Sequence, residues 1–157
     1  MNVDDRLLDF FDRPLMCIIA ATDGGGRPAA GRGIGFALHE DRATIDLLFS
    51  AWQWPRLETC IREVGKLAAT FVSPSDYVSF QLKGAAVLRA PGAADRESAG
   101  RFIASATREL ESLGVATPLI EQWLTASDAR VARMSIREIY HQTPGPLAGM
   151  SAGTGAR

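Results

Sequence analysis

Apolar residues recur along this chain at two spacings, and each switch between them marks the end of an element. Val3, Leu7, Phe10 and Phe11 fall at i, i+4, i+7 and i+8, with Asp4 and Asp5 in the first turn, where the helix dipole favours acids. That spacing predicts a short amphipathic helix closed by Pro14. Leu15 to Thr22 is a continuous apolar run, too short for a free-standing helix, and it ends in Asp23-Gly24-Gly25-Gly26, a cluster suited to a tight reversal. A return strand follows over Pro28 to Leu38, whose glycines around Ile34 leave the backbone open to close approach. After the polar turn His39-Glu40-Asp41-Arg42, Ala43 to Ser50 predicts a third strand.

Between Trp52 and Val64 the period changes: Leu57, Cys60, Ile61 and Val64 lie on one helical face, with Pro55 in the first turn, where its missing N–H costs nothing. Gly65 closes this helix, and Lys66 to Val72 returns to strand character before the turn at Ser73-Pro74-Ser75-Asp76. A long strand is expected from Tyr77 to about Leu88. A helix is expected from about Ala94 to Leu113 with Gly114 as its C-cap, and a short helix over Pro118 to Ala126. Arg130 to Tyr140 reads as a last strand with imperfect alternation, and the tail from Thr143 has no period.

Six strands and three or four helices, with neighbouring strands joined mostly by short turns, imply antiparallel pairing. The expected architecture is mainly β with flanking helices: an antiparallel six-stranded barrel, closed or nearly so. A doubly wound parallel sheet fits poorly, because most neighbouring strands lack a crossover helix. The expected organisation is one domain over residues 1–142 and an irregular tail over 143–157.

Composition narrows the partners. The 157 residues carry 17 Lys plus Arg against 18 Asp plus Glu, a net charge of −1, so there is no positive field of the kind that drives nucleic-acid binding. Cys17 and Cys60 sit in apolar stretches without CxxC spacing or a nearby His, which predicts buried thiols and no metal site. The acidic N-terminus and the lack of a long apolar run predict a soluble, cytoplasmic protein that neither enters nor spans a membrane.

No catalytic residue is indicated. His39 and His141 lack a nucleophile or carboxylate at a diagnostic spacing, there is no GxSxG elbow, and Gly31 to Gly35 (GRGIG) is not a dinucleotide fingerprint. What remains is a set of cationic and hydroxyl residues near strand ends: Arg32, Ser50, Arg56, Thr70, Ser79, Gln81 and Lys83. Two readings stay open. They form a shell for a phosphate, helped by the helix start that Ser50 and Arg56 flank, or they are solvated strand-end groups. Trp52 and Trp54 likewise either seal a pocket or plug the end of a core.

The ordered series IIAATDGGGRPAAGRGIGF, then IDLLFSAWQWPRLETCIREVGKLAATFVSPSDYVSFQLKGAAV, resembles the FMN-binding split barrel of the pyridoxamine 5′-phosphate oxidase-like superfamily. It covers about Leu15 to Leu88, and the tail segment Gln142 to Gly149 resembles the ending of small bacterial members. The resemblance implies a homodimer holding FMN in clefts between subunits, with hydride or electron transfer to a small molecule. It places Arg32 and Arg56 at the phosphate and Ser50 as a hydroxyl ligand. The backbones of Gly33, Phe49 and Ala51 and the side chains of Ser79, Gln81 and Lys83 join the cofactor site. Ala37, Trp54 and Ser79 depart from the family pattern by replacing a Lys, a Ser and a Gln, and Trp123 matches weakly the tryptophan that nears FMN. These departures, and the missing C-terminal substrate-binding segment, separate the chain from pyridoxamine 5′-phosphate oxidation itself. They keep open a non-catalytic module holding a flavin, a deazaflavin or haem.

Overall fold

The computed structural model describes residues 2–152. Its elements in chain order are α1 (Asp5–Phe11), β1 (Met16–Thr22), β2 (Pro28–Leu38), β3 (Thr44–Ser50), α2 (Pro55–Val64), β4 (Lys66–Val72), β5 (Ser79–Arg89), α3 (Ala93–Ser112), α4 (Thr117–Trp123) and β6 (Ala129–His141). The strands close into one antiparallel barrel in the order β1-β2-β3-β6-β5-β4. The expected split-barrel architecture is therefore the observed one.

Strand alternation supplies the barrel's interior. In β1, Cys17, Ile19 and Ala21 are buried, while Ile18, Ala20 and Thr22 face outward. The inward set joins Ile45, Leu47 and Phe49 of β3, Ala69 and Phe71 of β4, Leu82 of β5 and Met134, Ile136 and Ile139 of β6 in one core. The two short helices close the barrel's mouths. Phe10 and Phe11 of α1 meet Phe80 and Phe71 edge-on at 4.9 and 5.0 Å between ring centroids. At α2, Leu57, Cys60 and Ile61 enter the same core, and the Trp54 ring lies where any side chain at Gly31 would stand, so Trp54 plugs.

Helices α3 and α4 cover part of the outer wall. Ala99, Ala106 and Leu110 of α3 and Ile120 of α4 pack with Ile34, Leu48 and Val131 in a second cluster. Gly35 lets α3 come close: a Cβ there would lie 3.2 Å from the Ala99 Cα.

Several boundaries differ from the sequence reading, each for a local reason. Helix α1 begins at Asp5 because Asp4 caps it, its carboxylate accepting from the Leu7 N–H at 3.0 Å. Helix α2 has Pro55 as its first residue and Gly65 as its cap, both as expected. Strand β5 starts at Ser79 because Tyr77 has φ 60° and the Ser73 N–H donates to the Val78 carbonyl, which makes residues 73–78 a turn. The cap of α3 is Leu113, with Gly114 following at φ 86°. Helix α4 ends at Trp123, short of Ala126. The tail is partly ordered: Ser151 bridges Tyr140, and the Ala152 N–H donates to the Ile139 carbonyl at 2.8 Å, so this stretch pairs with the free edge of β6. Residues 153–157 of the expected tail lie outside the described residues.

Candidate functional site

Outward-facing residues of five strands line up in rows. Arg32 of β2 stands opposite Ile18, Ile18 opposite Thr70, Thr70 opposite Gln81, and Gln81 opposite Tyr140. The next row runs Ala30, Ala20, Ala68, Lys83 and Glu138. This face is low and flat at its centre, with a cation at one side, amides and hydroxyls at the other, and Ile18 open at 38% exposure.

Arg32 is half-buried, and its guanidinium stacks over the Trp123 ring at 4.7 Å. Among the described residues no carboxylate pairs with it. Around it, β2, the start of α2 and the end of α4 form one corner: Trp54 covers Gly31, and Gln53 Nε2 donates to the Gln122 carbonyl at 2.7 Å. Two buried polar atoms of this corner, Trp54 Nε1 and Gln53 Oε1, have no hydrogen-bond partner.

The other expected site residues are placed as follows. Ser50 is buried; its hydroxyl donates to the Ser127 carbonyl at 2.5 Å and accepts from the Gln53 N–H at 3.2 Å. Ala51 donates its N–H to the Asp128 carbonyl, and the Phe49 side chain is wholly inside the barrel. Gly33 abuts Cys17, where an added Cβ would lie 2.9 Å from the thiol sulfur. Arg56 is exposed, 3.8 Å from Asp23, beside a cavity of about 290 Å³ between the β1–β2 turn and α2. Ser79 lies beneath the 142–143 turn, its N–H donating to Thr143 Oγ1 at 2.9 Å. Gln81 Nε2 donates to Thr70 Oγ1 at 2.9 Å, and Lys83 Nζ sits 4.8 Å from the Tyr140 ring centre. Arg32, Ser50 and Arg56 thus engage three different partners, Trp123, Ser127 and Asp23. Trp52 is largely exposed and seals nothing.

The sequence reading did not single out a buried ionic cluster on the opposite wall. Asp46 accepts from Arg89 Nη2 at 2.7 Å and from Arg133 Nε and Nη2 at 2.8 and 2.9 Å, with His39 Nε2 at 3.2 Å. Arg89 also binds Asp95, which caps α3 by accepting from the Gly92 N–H at 2.7 Å. Burial alone would raise the Asp46 carboxyl, but hydrogen bonds from Arg133, Arg89 and His39 outweigh it and hold the group far below the usual carboxylate range. His39 is therefore structural. The cluster fastens α3 to the barrel, and its partners lie 43 and 87 residues from Asp46, beyond any local motif.

Both thiols are buried and unbonded, and burial pushes the Cys17 thiol well above its usual range. Among the described residues no group of His, Cys, Asp and Glu is arranged to hold a metal ion, and no helix is long and apolar enough to cross a membrane.

No protein-family model and no curated protein matches the sequence. Solved structures do match. Group A Streptococcus HupZ superposes with a TM-score of 0.57 at 18% identity, over 94% of this chain and 99% of that one. A pyridoxamine 5′-phosphate oxidase-related, FMN-binding protein from Nostoc punctiforme gives 0.54 at 11%, over 90% and 86%. HutZ, a haem storage protein from Vibrio cholerae, gives 0.53 at 12%, over 90% and 95%. The chain has the split-barrel fold of the pyridoxamine 5′-phosphate oxidase-like superfamily, as its sequence resemblance implied. Proteins of that fold include flavin and haem binders by their descriptions.

Proposed function

We propose that this protein is a cytoplasmic flavoprotein that holds FMN noncovalently and uses it to pass hydride or electrons to a small molecule, as a homodimer with the cofactor between subunits. One observation carries the reading: at the corner of β2, α2 and α4, the half-buried Arg32 guanidinium stacks on Trp123 and has no carboxylate partner among the described residues. A half-buried guanidinium without a counter-charge is suited to a ligand that brings anionic oxygens.

The residues fit a flavin phosphate in this respect. Arg32 would hold the phosphate by a bidentate pair. Ile18 and the neighbouring alanines offer an apolar support, and Thr70, Gln81 and Lys83 a polar margin. Arg56 contributes positive potential near the helix start without a direct role. When bound, the flavin supplies the electron-carrying chemistry and the protein orients it and tunes its surroundings. The open Ile18 face suits burial by a second copy, and two unbonded thiols suit a reducing compartment.

A second reading, a module that stores a flavin, a deazaflavin or haem without turnover, is favoured by the Ser50 hydroxyl. It is already committed to Ser127, and Ala37 supplies no polar group. An absorption spectrum of protein purified without added cofactor tells a bound flavin from haem by flavin bands or a Soret band. In the flavoprotein, added FMN raises the melting temperature and loses fluorescence, and Arg32→Ala weakens both effects at least tenfold. Colourless protein that FMN changes in neither respect rules the flavin reading out. Reduced, FMN-loaded protein that reoxidises no faster than free flavin with any nicotinamide donor points to the storage module.

A further inference from the structure

Helices α3 and α4 are fastened to the barrel very unequally. Along α3, Ala99, Ala106 and Leu110 are buried, the Ser98 hydroxyl donates to the Phe36 carbonyl at 3.3 Å, and Arg89 ties Asp95 to the Asp46 cluster. Over residues 113–126 the buried side chains are Ile120 and Leu124. Among the described residues, one hydrogen bond joins this stretch to the β3–α2 connection, from Gln53 Nε2 to the Gln122 carbonyl. Helix α4 has no side-chain cap at its start, and Leu119 on its outer side is exposed.

The stretch hangs between two fixed points. At its start Gly114 takes φ 86°, and the N–H groups of Gly114 and Val115 donate back to the Glu111 and Leu110 carbonyls. At its end Asp128 takes φ 49°, and the carbonyls of Ser127 and Asp128 accept from the Ser50 hydroxyl and the Ala51 N–H. Between these points lies Trp123, whose ring covers the face of the Arg32 guanidinium. The guanidinium donors lie in its plane and meet no acceptor among the described residues. Local opening costs least where few apolar side chains and few hydrogen bonds are given up. Here an opening gives up Ile120, Leu124 and the Gln122 bond, and it leaves α3 and the Ser127–Asp128 anchor in place.

We propose that residues 116–126 form a flap that swings away from the barrel between these points, lifts Trp123 off Arg32, and recloses with the indole on the guanidinium. Opening uncovers the cation to an incoming anion. Closure then shields the pair from water, where a charge-assisted hydrogen bond gains strength. Collective movements of this kind run on the microsecond-to-millisecond scale. The guarding role rests on the flavin reading of the Arg32 corner, but the motion itself does not.

Two measurements on the full chain without ligand test the motion. In native amide hydrogen exchange, the Ile120 and Leu124 N–H groups, which donate to the Ala116 and Ile120 carbonyls, exchange at least tenfold faster relative to their intrinsic rates than those of Ala106 and Leu110 in α3. Gln53→Ala speeds the first pair at least threefold and leaves the second within twofold. With 5-fluorotryptophan incorporated, fluorine relaxation dispersion shows exchange at Trp123, assigned through Trp123→Phe, and none at Trp54, which plugs the barrel. A third measurement tests the guarding role: Gln53→Ala raises the association rate constant of FMN at least threefold, followed by stopped-flow flavin fluorescence. Equal protection of the four amides, or a Trp123 signal without exchange, overturns the flap, because a helix that only frays at its ends leaves the indole stacked. An FMN association rate that Gln53→Ala does not change overturns the guarding role. FMN that does not bind at all overturns that role together with the flavin reading, and the exchange measurements still decide the motion.

Discussion

Replacing Asp46 by Asn tests whether the buried ionic cluster holds the α3 layer to the barrel. The Asp46 side chain is 5% exposed and accepts three hydrogen bonds from Arg89 and Arg133. Each charge-assisted bond is worth about 1.5–3 kcal/mol in mutational series, and removing one partner of a buried ion pair costs about 3–5 kcal/mol. Arg89 and Arg133 remain 31% and 44% exposed, so water recovers part of the loss. The expected cost is about 2–4 kcal/mol at pH 7, by urea denaturation followed by circular dichroism. The pH dependence has a definite sign. Asp46 titrates lower in the folded state than in the unfolded chain, so its contribution is full above the unfolded value near 4 and falls away as acid is added. The difference between parent and Asp46→Asn therefore narrows from pH 5 to pH 3. A cost below about 0.5 kcal/mol, or a difference that stays constant across that range, would mean that the Asp46 ion pairs do not hold α3 to the barrel.

Two further predictions concern local geometry. At the β5–β6 bulge, where Lys83 pairs with Glu138 and Gly84 with Ile136, a Cβ at Gly84 would lie 2.0 Å from the Ser135 carbonyl oxygen. Gly84→Ala therefore forces backbone movement at the bulge and costs about 3 kcal/mol or more, whereas Gly100→Ala, exposed in α3 with nothing within 4 Å, stabilises by about 0.5–1 kcal/mol; denaturation midpoints of both check this. Cys17 and Cys60, both buried, stay unmodified by a water-soluble thiol reagent in the native protein and react once urea unfolds it; rapid native labelling would contradict the burial.

Much of the barrel was legible because its strands are bounded by residues with strong local preferences. Pro28–Leu38 and Lys66–Val72 carry the same bounds in the sequence reading and in the structure, one entered through a Gly-rich turn, the other through Gly65 at φ 66°. The bulge left a trace too. Arg137 and Glu138 are consecutive exposed residues and make one of two breaks in the alternation of β6, the other being the buried pair Val131 and Ala132. Turn chemistry was less legible: Tyr77 looks like a strand residue, yet its positive φ belongs to the turn.

The candidate site was legible only as a set of residue types. A local pattern shows that Arg32, Ser50 and Arg56 are available, but it does not show their partners, and the Ser50–Ser127 bond crosses 77 residues. By itself the sequence determined the alternation, the helix faces and the nearly neutral charge, because these depend on near neighbours and totals. Tertiary structure alone decided that Arg32 meets Trp123 and that Asp46 gathers two arginines. Each of those depends on strand register and closure of the barrel, which bring together residues that the chain keeps far apart.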